Sequence, residues 1–429
     1  MGRWRAGTAG LALGVWTALG VGCDSGKVTA PAQPATEDPG PEAPALPELL
    51  SGDARWTMHT AVAGPQDVIA VAADGLGGIV VLGTSEPLVP HGAPSDSDGT
   101  TLTVSRHDGN GQPLWSQSFT PEPAQAGGVA DVGAAQLAVS ATGDVFLAGR
   151  VEGRLRLGGT VITDSGFVAR LTPEGSPAWV QAVGPVRAML PDGDGELVVE
   201  RYDAQGTRRW SRDVPAVASA SIVALDPEGG VVMAGQKPVS PLETHGFIVR
   251  LTPDGEPRWE REVGPSVPGF TDVSFRPDGS FLFTGDFSGT IEWGREPLKS
   301  PCSPRGCHRT VFALATDAYG EPLWGHVLDS QDSGGSEGAR LAVDAKGGAA
   351  VVWRHGCGSE LARLSAGGEV LWQGLYVTTP CAANTLLRDA AFLPDGDVVG
   401  AGMFLGTRSF GGRRLSADDT DIFLQRLVP

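Results

Sequence analysis

The stretch FIVRLTPDGEPRW, Phe247 to Trp259, is the unit from which the rest of the chain is read. Phe247, Ile248, Val249 and Leu251 form an apolar, β-branched run, Pro253-Asp254-Gly255 supplies a tight turn, and a second strand opens on Trp259. The pattern reduces to Arg, an apolar residue, two or three turn residues, Gly, and Trp four places after the Gly. It recurs at Arg106, Gly111 and Trp115; at Arg170, Gly175 and Trp179; at Arg201, Gly206 and Trp210; and at Arg363, Gly368 and Trp372. A further copy, Gly320 and Trp324, has Ala315 where the others have Arg. Six matches to one spacing mark tandem copies of a β-hairpin.

Each copy is preceded by a second hairpin, an apolar strand, a turn with Asp or Gly, and another apolar strand that usually ends in Gly. Examples are LAVSATGDVFLAG (Leu137 to Gly149), IVALDPEGGVVMAG (Ile222 to Gly235) and VSFRPDGSFLFTG (Val273 to Gly285). Looser copies are Val71 to Gly83, Leu341 to Trp353 and Ala390 to Gly402. Two hairpins make a four-stranded antiparallel sheet of about fifty residues, the size of a propeller blade. A solenoid of such sheets is the competing geometry, and the chain ends decide between them. FLQRLVP (Phe423 to Pro429) stops after a third strand, while Arg55 to Val62 is a Trp strand with no hairpin before it. The Trp56 strand therefore completes the last blade, which closes a ring.

Counting Trp56, Trp115, Trp179, Trp210, Trp259, Trp324 and Trp372 as outer-strand residues predicts an all-β, seven-bladed propeller. The third copy is short: thirty-one positions separate Trp179 from Trp210, with strands only at Val186 to Leu190, Glu196 to Tyr202 and Trp210. Six blades with this piece as an insert is the alternative.

Composition agrees with turn-rich, aromatic-punctuated β-structure: Gly 62 and Pro 33 in 429 residues are too many for a helical protein, and 11 Trp with 41% hydrophobic residues supply a core. A net charge of −18 without a basic patch argues against a nucleic-acid surface and suits the solubility of an exported protein.

Residues 1–22 read as a signal peptide: Arg3 and Arg5 precede the apolar segment Ala9 to Gly22, which is too short to span a bilayer. Leu19-Gly20-Val21-Gly22-Cys23 resembles a bacterial lipobox, although Gly20 stands where Leu is expected. The resemblance implies that Cys23 is lipidated; ordinary cleavage beside an incidental Cys is the alternative. Residues 23–52 then form a Pro/Ala-rich tether, and 53–429 the propeller. More than one acyl chain, at ~0.8 kcal/mol per buried CH₂, would anchor the protein stably to a membrane.

Phe287 to Gly294, Leu405 to Gly412 and Val151 to Gly159 share one pattern within the long connections, and the second continues through Leu415-Ser416-Ala417 to Thr420-Asp421-Ile422-Phe423. This resembles the SBBP-type (seven-bladed β-propeller) repeats of exported lipoproteins of myxobacteria and related bacteria, over roughly residues 53–429. The resemblance implies the fold and little about activity. The Gly-to-Trp spacing is also similar to the docking motif of quinoprotein-type propellers, but no cofactor residue carries over and no cofactor is expected.

The repeated Trp residues are read as packing residues, because a ligand cage would not need a fixed register; each burial contributes at most about 5 kcal/mol. Asp332-Ser333-Gly334-Gly335 is similar to a serine-protease nucleophile motif, but no His has the required context, and it is read as a polar loop. Asp96-Ser97-Asp98-Gly99, Asp192 to Glu196 and Asp418-Asp419-Thr420-Asp421 have partial calcium-loop character and lack the full ligand run. Cys302, Cys307, Cys357 and Cys381 form an even set that suggests disulfides with three pairings open. Zinc held by these Cys with His308 or His355 is the rival, without a paired C-x-x-C to support it.

No assembled catalytic set is found. The chain is expected to be a lipid-anchored binding or scaffolding module of the cell envelope, at the outer membrane on its periplasmic side or at the cell surface, and not an enzyme. A propeller lyase or hydrolase acting on glycans, and a structural surface protein without a dedicated ligand, are the alternatives. In a four-stranded blade the tight turns after the first and third strands share one face. The variable connections, including Thr84 to Thr101, Asp286 to Thr310 and Leu328 to Arg340, lie on the other face, where a protein or glycan partner is expected.

Overall fold

The computed structural model describes residues 54–60, 66–85, 100–125, 130–183, 197–202, 208–214, 219–225, 230–240, 243–266, 268–303, 306–328, 336–356, 358–376, 385–410 and 412–428. The signal, Cys23 and the tether lie outside these residues, as do Cys357, Cys381, Asp96 to Gly99, Asp192 to Glu196, Asp332 to Gly335 and the side chain of Trp210. Among the described residues every regular element is a strand, and no helix is long and apolar enough to cross a membrane.

The described strands form a β-propeller with six four-stranded antiparallel blades. Blade 1 is Gln66–Ala73, Ile79–Ser85, Thr101–His107 and Pro113–Phe119; blade 2 is Asp131–Val139, Val145–Glu152, Gly166–Leu171 and Pro177–Val183. Blade 3 is Ser219–Leu225, Val231–Ser240, Glu243–Leu251 and Pro257–Val263; blade 4 is Gly269–Phe275, Phe281–Phe287, Thr310–Thr316 and Pro322–Leu328. Blade 5 is Ser336–Val343, Ala349–His355, Gly358–Leu364 and Val370–Tyr376. Blade 6 is Thr385–Phe392, Val398–Phe410 and Arg413–Leu427, completed by Ala54–Thr60.

Seven blades is therefore corrected to the alternative of six. Leu197–Tyr202 and Arg208–Val214, which carry the Arg201 and Trp210 motif, pair only with each other. The physical reason is length. Complete blades 4 and 5 place Trp324 and Trp372 forty-eight positions apart, whereas the thirty-one between Trp179 and Trp210 leave this motif as a two-stranded hairpin on its own.

The closing blade appears as expected. Trp56 lies opposite Arg426 and His59 opposite Phe423. This is the same register by which Trp115 faces Arg106, Trp179 faces Arg170, Trp259 faces Arg250 and Trp372 faces Arg363. In each case the ladder is displaced by one residue just beyond the Arg. The turn that follows needs a left-handed residue, and Gly368, at φ 89°, shows why Gly recurs there.

The core lies between blades. Second strands are apolar on both faces, and successive residues face different neighbours: Val80 and Leu82 pack toward blade 2, Ile79 and Val81 toward blade 6. Such clusters join blades 1 and 2, 3 and 4, 4 and 5, 5 and 6, and 6 and 1. First strands are innermost and touch one another around the axis.

Three second-to-third connections, in blades 2, 4 and 6, fold as hairpins on the stretches that carry the family resemblance. They bury Leu155, Leu157 and Ile162 in blade 2, Ile291 and Trp293 in blade 4, and Phe410, Leu415 and Ala417 in blade 6. Each covers outer structure: the Trp293 indole donates to the carbonyl of Trp324 (2.9 Å), Arg413 donates to the carbonyl of Thr57 (2.6 Å), and Arg154 exchanges backbone hydrogen bonds with Glu122. These long connections are thus largely engaged with the ring wall. Cys302 and Cys307, in the blade 4 connection, form a disulfide.

Candidate functional site

Two sets of polar side chains repeat around the ring, one near its outer wall and one at its axis. In the outer set, Trp56, Trp115, Trp259 and Trp324 each pack on the next blade's turn. Trp56 donates to the carbonyl of Gly109 (3.1 Å), Trp115 to Pro173 (2.7 Å), Trp259 to Ala318 (3.1 Å) and Trp324 to Ala366 (3.2 Å). The acceptor is always three residues after the repeat Arg position. The repeat Gly lies beneath the indole: a Cβ on Gly368 would come within 2.6 Å of Trp324, and one on Gly175 within 2.8 Å of Trp115.

In blades 1, 2, 5 and 6 the repeat Arg lies beside the Trp and is neutralised by the first turn of its own blade. Arg106 pairs with Asp74 and Arg363 with Asp344, both at the residue that opens this turn. In blades 2 and 6 the acid stands four positions later, as Asp144 beside Arg170 (2.9 Å) and Asp397 beside Arg426 (2.6 Å). Arg106, Arg250 and Arg426 also reach the next blade, donating to the carbonyls of Pro173 (2.8 Å), Ala318 (3.1 Å) and Gly109 (2.6 Å). A buried guanidinium bonded in this way joins blades through fixed main-chain acceptors.

Blade 4 lacks the Arg, with Ala315 opposite Trp324, yet the contact survives. Arg276 occupies the turn-opening position held by Asp in blades 1 and 5, and donates to the carbonyls of Gly347 (2.9 Å) and Ala366 in blade 5. Its guanidinium lies 6.0 Å from the Trp324 ring. The charge has moved from strand to turn. Arg276→Asp alone should cost about 2 kcal/mol through lost charge-assisted hydrogen bonds, and Ala315→Arg alone should also destabilise by setting two guanidinium groups together. The double variant rebuilds the arrangement of blades 1 and 5 and should recover most of the loss in a denaturant titration. Simple additivity of the two single effects would contradict this account.

The axial set lies four residues before the turn-opening position on consecutive innermost strands: Asp272 in blade 4, Arg340 in blade 5 and Asp389 in blade 6. Asp272 accepts from the amides of Val273 (2.8 Å) and Leu341 (3.0 Å); Asp389 accepts from Ala390 (2.9 Å) and Val71 (2.8 Å). Each carboxylate thus ties its own strand to that of another blade. Both are half-buried, and burial raises both above the usual carboxylate range, Asp389 to about 7. Arg340 partly offsets that rise at both acids, and Asp272 adds to it at Asp389. Arg340 itself is exposed, and its guanidinium forms no hydrogen bond or close ion pair with a described residue. Toward the long-connection face, Arg388 makes a bidentate pair with Asp67 (3.0 and 2.7 Å).

An unfolded Asp titrates near 4. As the pH rises from there, the unfolded chain loses a proton that folded Asp389 keeps until about 7. Asp389 therefore favours folding less and less between about pH 4 and 7, and its contribution is flat above that. Compared with Asp389→Asn, the parent should lose relative stability across this window, as followed by unfolding midpoints; a relative gain would contradict the assignment.

Among the remaining candidates, Asp421 is held at 3.3 Å by both His59 and Gln66 rather than turned toward Asp418 and Asp419. His355 lies 4.0 Å from Glu360. Among the described residues no three His, Cys, Asp or Glu are placed to hold a metal ion. Missed in the sequence were Arg276 and the axial residues, whose signal is their common offset from the first turn.

No family model matches the chain, and no curated protein matches it. Among solved structures it is similar to a protein of unknown function from Dyadobacter fermentans, at 13% identity over 88% of this chain and 99% of that one, with a TM-score of 0.46. It is also similar to the β-propeller domain of the Trilobed protease from Pyrococcus furiosus (8% identity, 85% and 97% covered, TM-score 0.46). The NanB sialidase from Streptococcus pneumoniae is a third (10% identity, 87% and 71% covered, TM-score 0.39). The class defined by the strands is the β-propeller. Identities and scores this low leave activity and partners to be argued from the chain's own residues.

Proposed function

We propose that the protein is an exported, lipid-anchored propeller that serves as a protein-binding or scaffolding module at the cell envelope. The observation that carries this reading is Arg340, an exposed guanidinium with no hydrogen-bond partner among the described residues, offered on the ring axis between Asp272 and Asp389. The Trp, Arg and Asp residues of the repeats are engaged in joining blades, which suits a rigid platform. Attachment rests on Cys23 and the tether of residues 23–52. The partner, a protein or glycan, would meet the long-connection face and the mouth of the axis.

The test compares the full chain with Cys23→Ala and Arg340→Ala. Cys23→Ala should move the protein from the membrane to the soluble fraction, and Arg340→Ala should abolish recovery of a partner from envelope extract. Unchanged membrane retention would remove the anchor, and unchanged recovery would remove the axial contact. A glycan hydrolase or lyase is the second reading, favoured by the elevated proton affinity of Asp389, which suits a general acid. Turnover of envelope glycans that is lost in Asp389→Asn would establish it.

A further inference from the structure

One residue on each innermost strand stands at a common level of the ring, fixed by its partner on the second strand. Ala70 lies opposite Leu82, Gln136 opposite Ala148 and Ile222 opposite Ala234; Asp272 lies opposite Thr284, Arg340 opposite Val352 and Asp389 opposite Ala401. Two residues further along, and so on the same side of each strand, stand Ala72, Ala138, Ala224, Ser274, Ala342 and Ala391. Of these two levels only the first carries charge.

Gln136 and Arg340 form a pair within the charged level. Their strands read AQLAV (Ala135 to Val139) and ARLAV (Ala339 to Val343), a match the other four blades do not share. Blades 2 and 5 stand three places apart in either direction around the six, so these side chains come from opposite sides of the axis. In both, the ladder skips two residues just before the polar one, Ala134 and Ala135 in blade 2, Gly338 and Ala339 in blade 5. The other blades skip one. The space beside these breaks is open: a Cβ on Gly133 or on Gly338 would meet nothing within 4 Å. Gln136, like Arg340, is exposed, and its side chain forms no hydrogen bond with a described residue.

The charges at this level have both signs. Asp272 and Asp389 flank Arg340 in the ring, and each of their oxygens accepts one backbone amide and keeps a second lone pair. An anion drawn to Arg340 would face two acids, and a cation drawn to the acids would face Arg340. A ligand that carries both a carboxylate and an ammonium group satisfies each. We infer that this axial level is a binding site for a zwitterion of amino-acid or dipeptide size. Its carboxylate takes the guanidinium of Arg340 and the amide of Gln136, and its ammonium group donates to Asp272 and Asp389. The inference deepens the axial contact proposed above and rests on that reading of Arg340.

The test is calorimetric titration of the full chain with glycine and with glycylglycine at about pH 8, where Asp389 is mostly ionised. Acetate and methylammonium, each carrying one of the two charges, are the reference ligands. The better of the two zwitterions should bind at least about tenfold more tightly than either reference, and Arg340→Ala and Asp389→Asn should each weaken it by at least about tenfold. Gln136→Ala should weaken it as well, from the opposite side of the axis. Equal binding of acetate would mean a plain anion site and equal binding of methylammonium a plain acidic one; either overturns the inference, as does zwitterion binding that survives Arg340→Ala. Should Asp389→Asn fail to fold, Arg340→Ala and Gln136→Ala, both at exposed positions, decide. If neither zwitterion binds while partner recovery is still lost in Arg340→Ala, the zwitterion site is overturned and the partner contact stands.

Discussion

Replacing Asp344 by alanine should lower the unfolding free energy by about 3–5 kcal/mol, the usual cost of stranding one member of a buried ion pair. Asp344 and Arg363 are both nearly sealed from solvent, with side chains 7% and 9% exposed. One carboxylate oxygen pairs with Arg363, and the other accepts from the amides of Lys346 and Gly348, each at 2.8 Å. Alanine therefore removes the counter-charge and the acceptor of the turn together. Asp344→Asn keeps an acceptor for the turn amides and loses the charge, so it should cost clearly less. Equilibrium denaturation of the two variants checks the order; equal losses would mean that the ion pair itself contributes nothing.

Deleting Ala54–Thr60 should have the larger effect, loss of the single cooperative unfolding transition. The strand supplies the outer edge of blade 6 and buries Thr57, and its removal exposes a full edge on Arg413–Leu427. It also removes the Trp56 contact with Gly109, the pairing of Arg55 with Asp397 (2.5 Å) and the bond between His59 and Asp421. An exposed edge of this length is a template for aggregation. A synthetic peptide spanning residues 50–62, added during refolding, should restore the transition; a deletion variant that melts like the parent would contradict the closure.

The outer hairpins were legible because a turn and a one-residue displacement of the ladder fix the distance from Gly to Trp. The same regularity misled the blade count. Arg201, Gly206 and Trp210 satisfy the hairpin pattern but carry no information about whether an inner hairpin accompanies it. Arg276 was not legible, since its exchange with Ala315 joins a turn to a strand thirty-nine positions away in sequence. The axial residues were hidden for a similar reason. Asp272, Arg340 and Asp389 are each ordinary strand residues, and only the ring sets them in neighbouring blades. On the long-connection face, where a partner was expected, three of the connections cover the outer wall with buried residues such as Ile162, Trp293 and Phe410, and their variable sequences do not show this packing.

The central claim is that the Trp56 strand completes the last blade and closes the ring. Thr57 lies opposite Gln425, and their side chains are hydrogen-bonded at 3.3 Å. Cysteines introduced at both positions and oxidised in dilute protein test this directly, with the linkage read by peptide mass spectrometry. Closure gives an intramolecular disulfide between the peptides containing residues 57 and 425 in the monomer; absence of that link, or its appearance only between molecules, would contradict it.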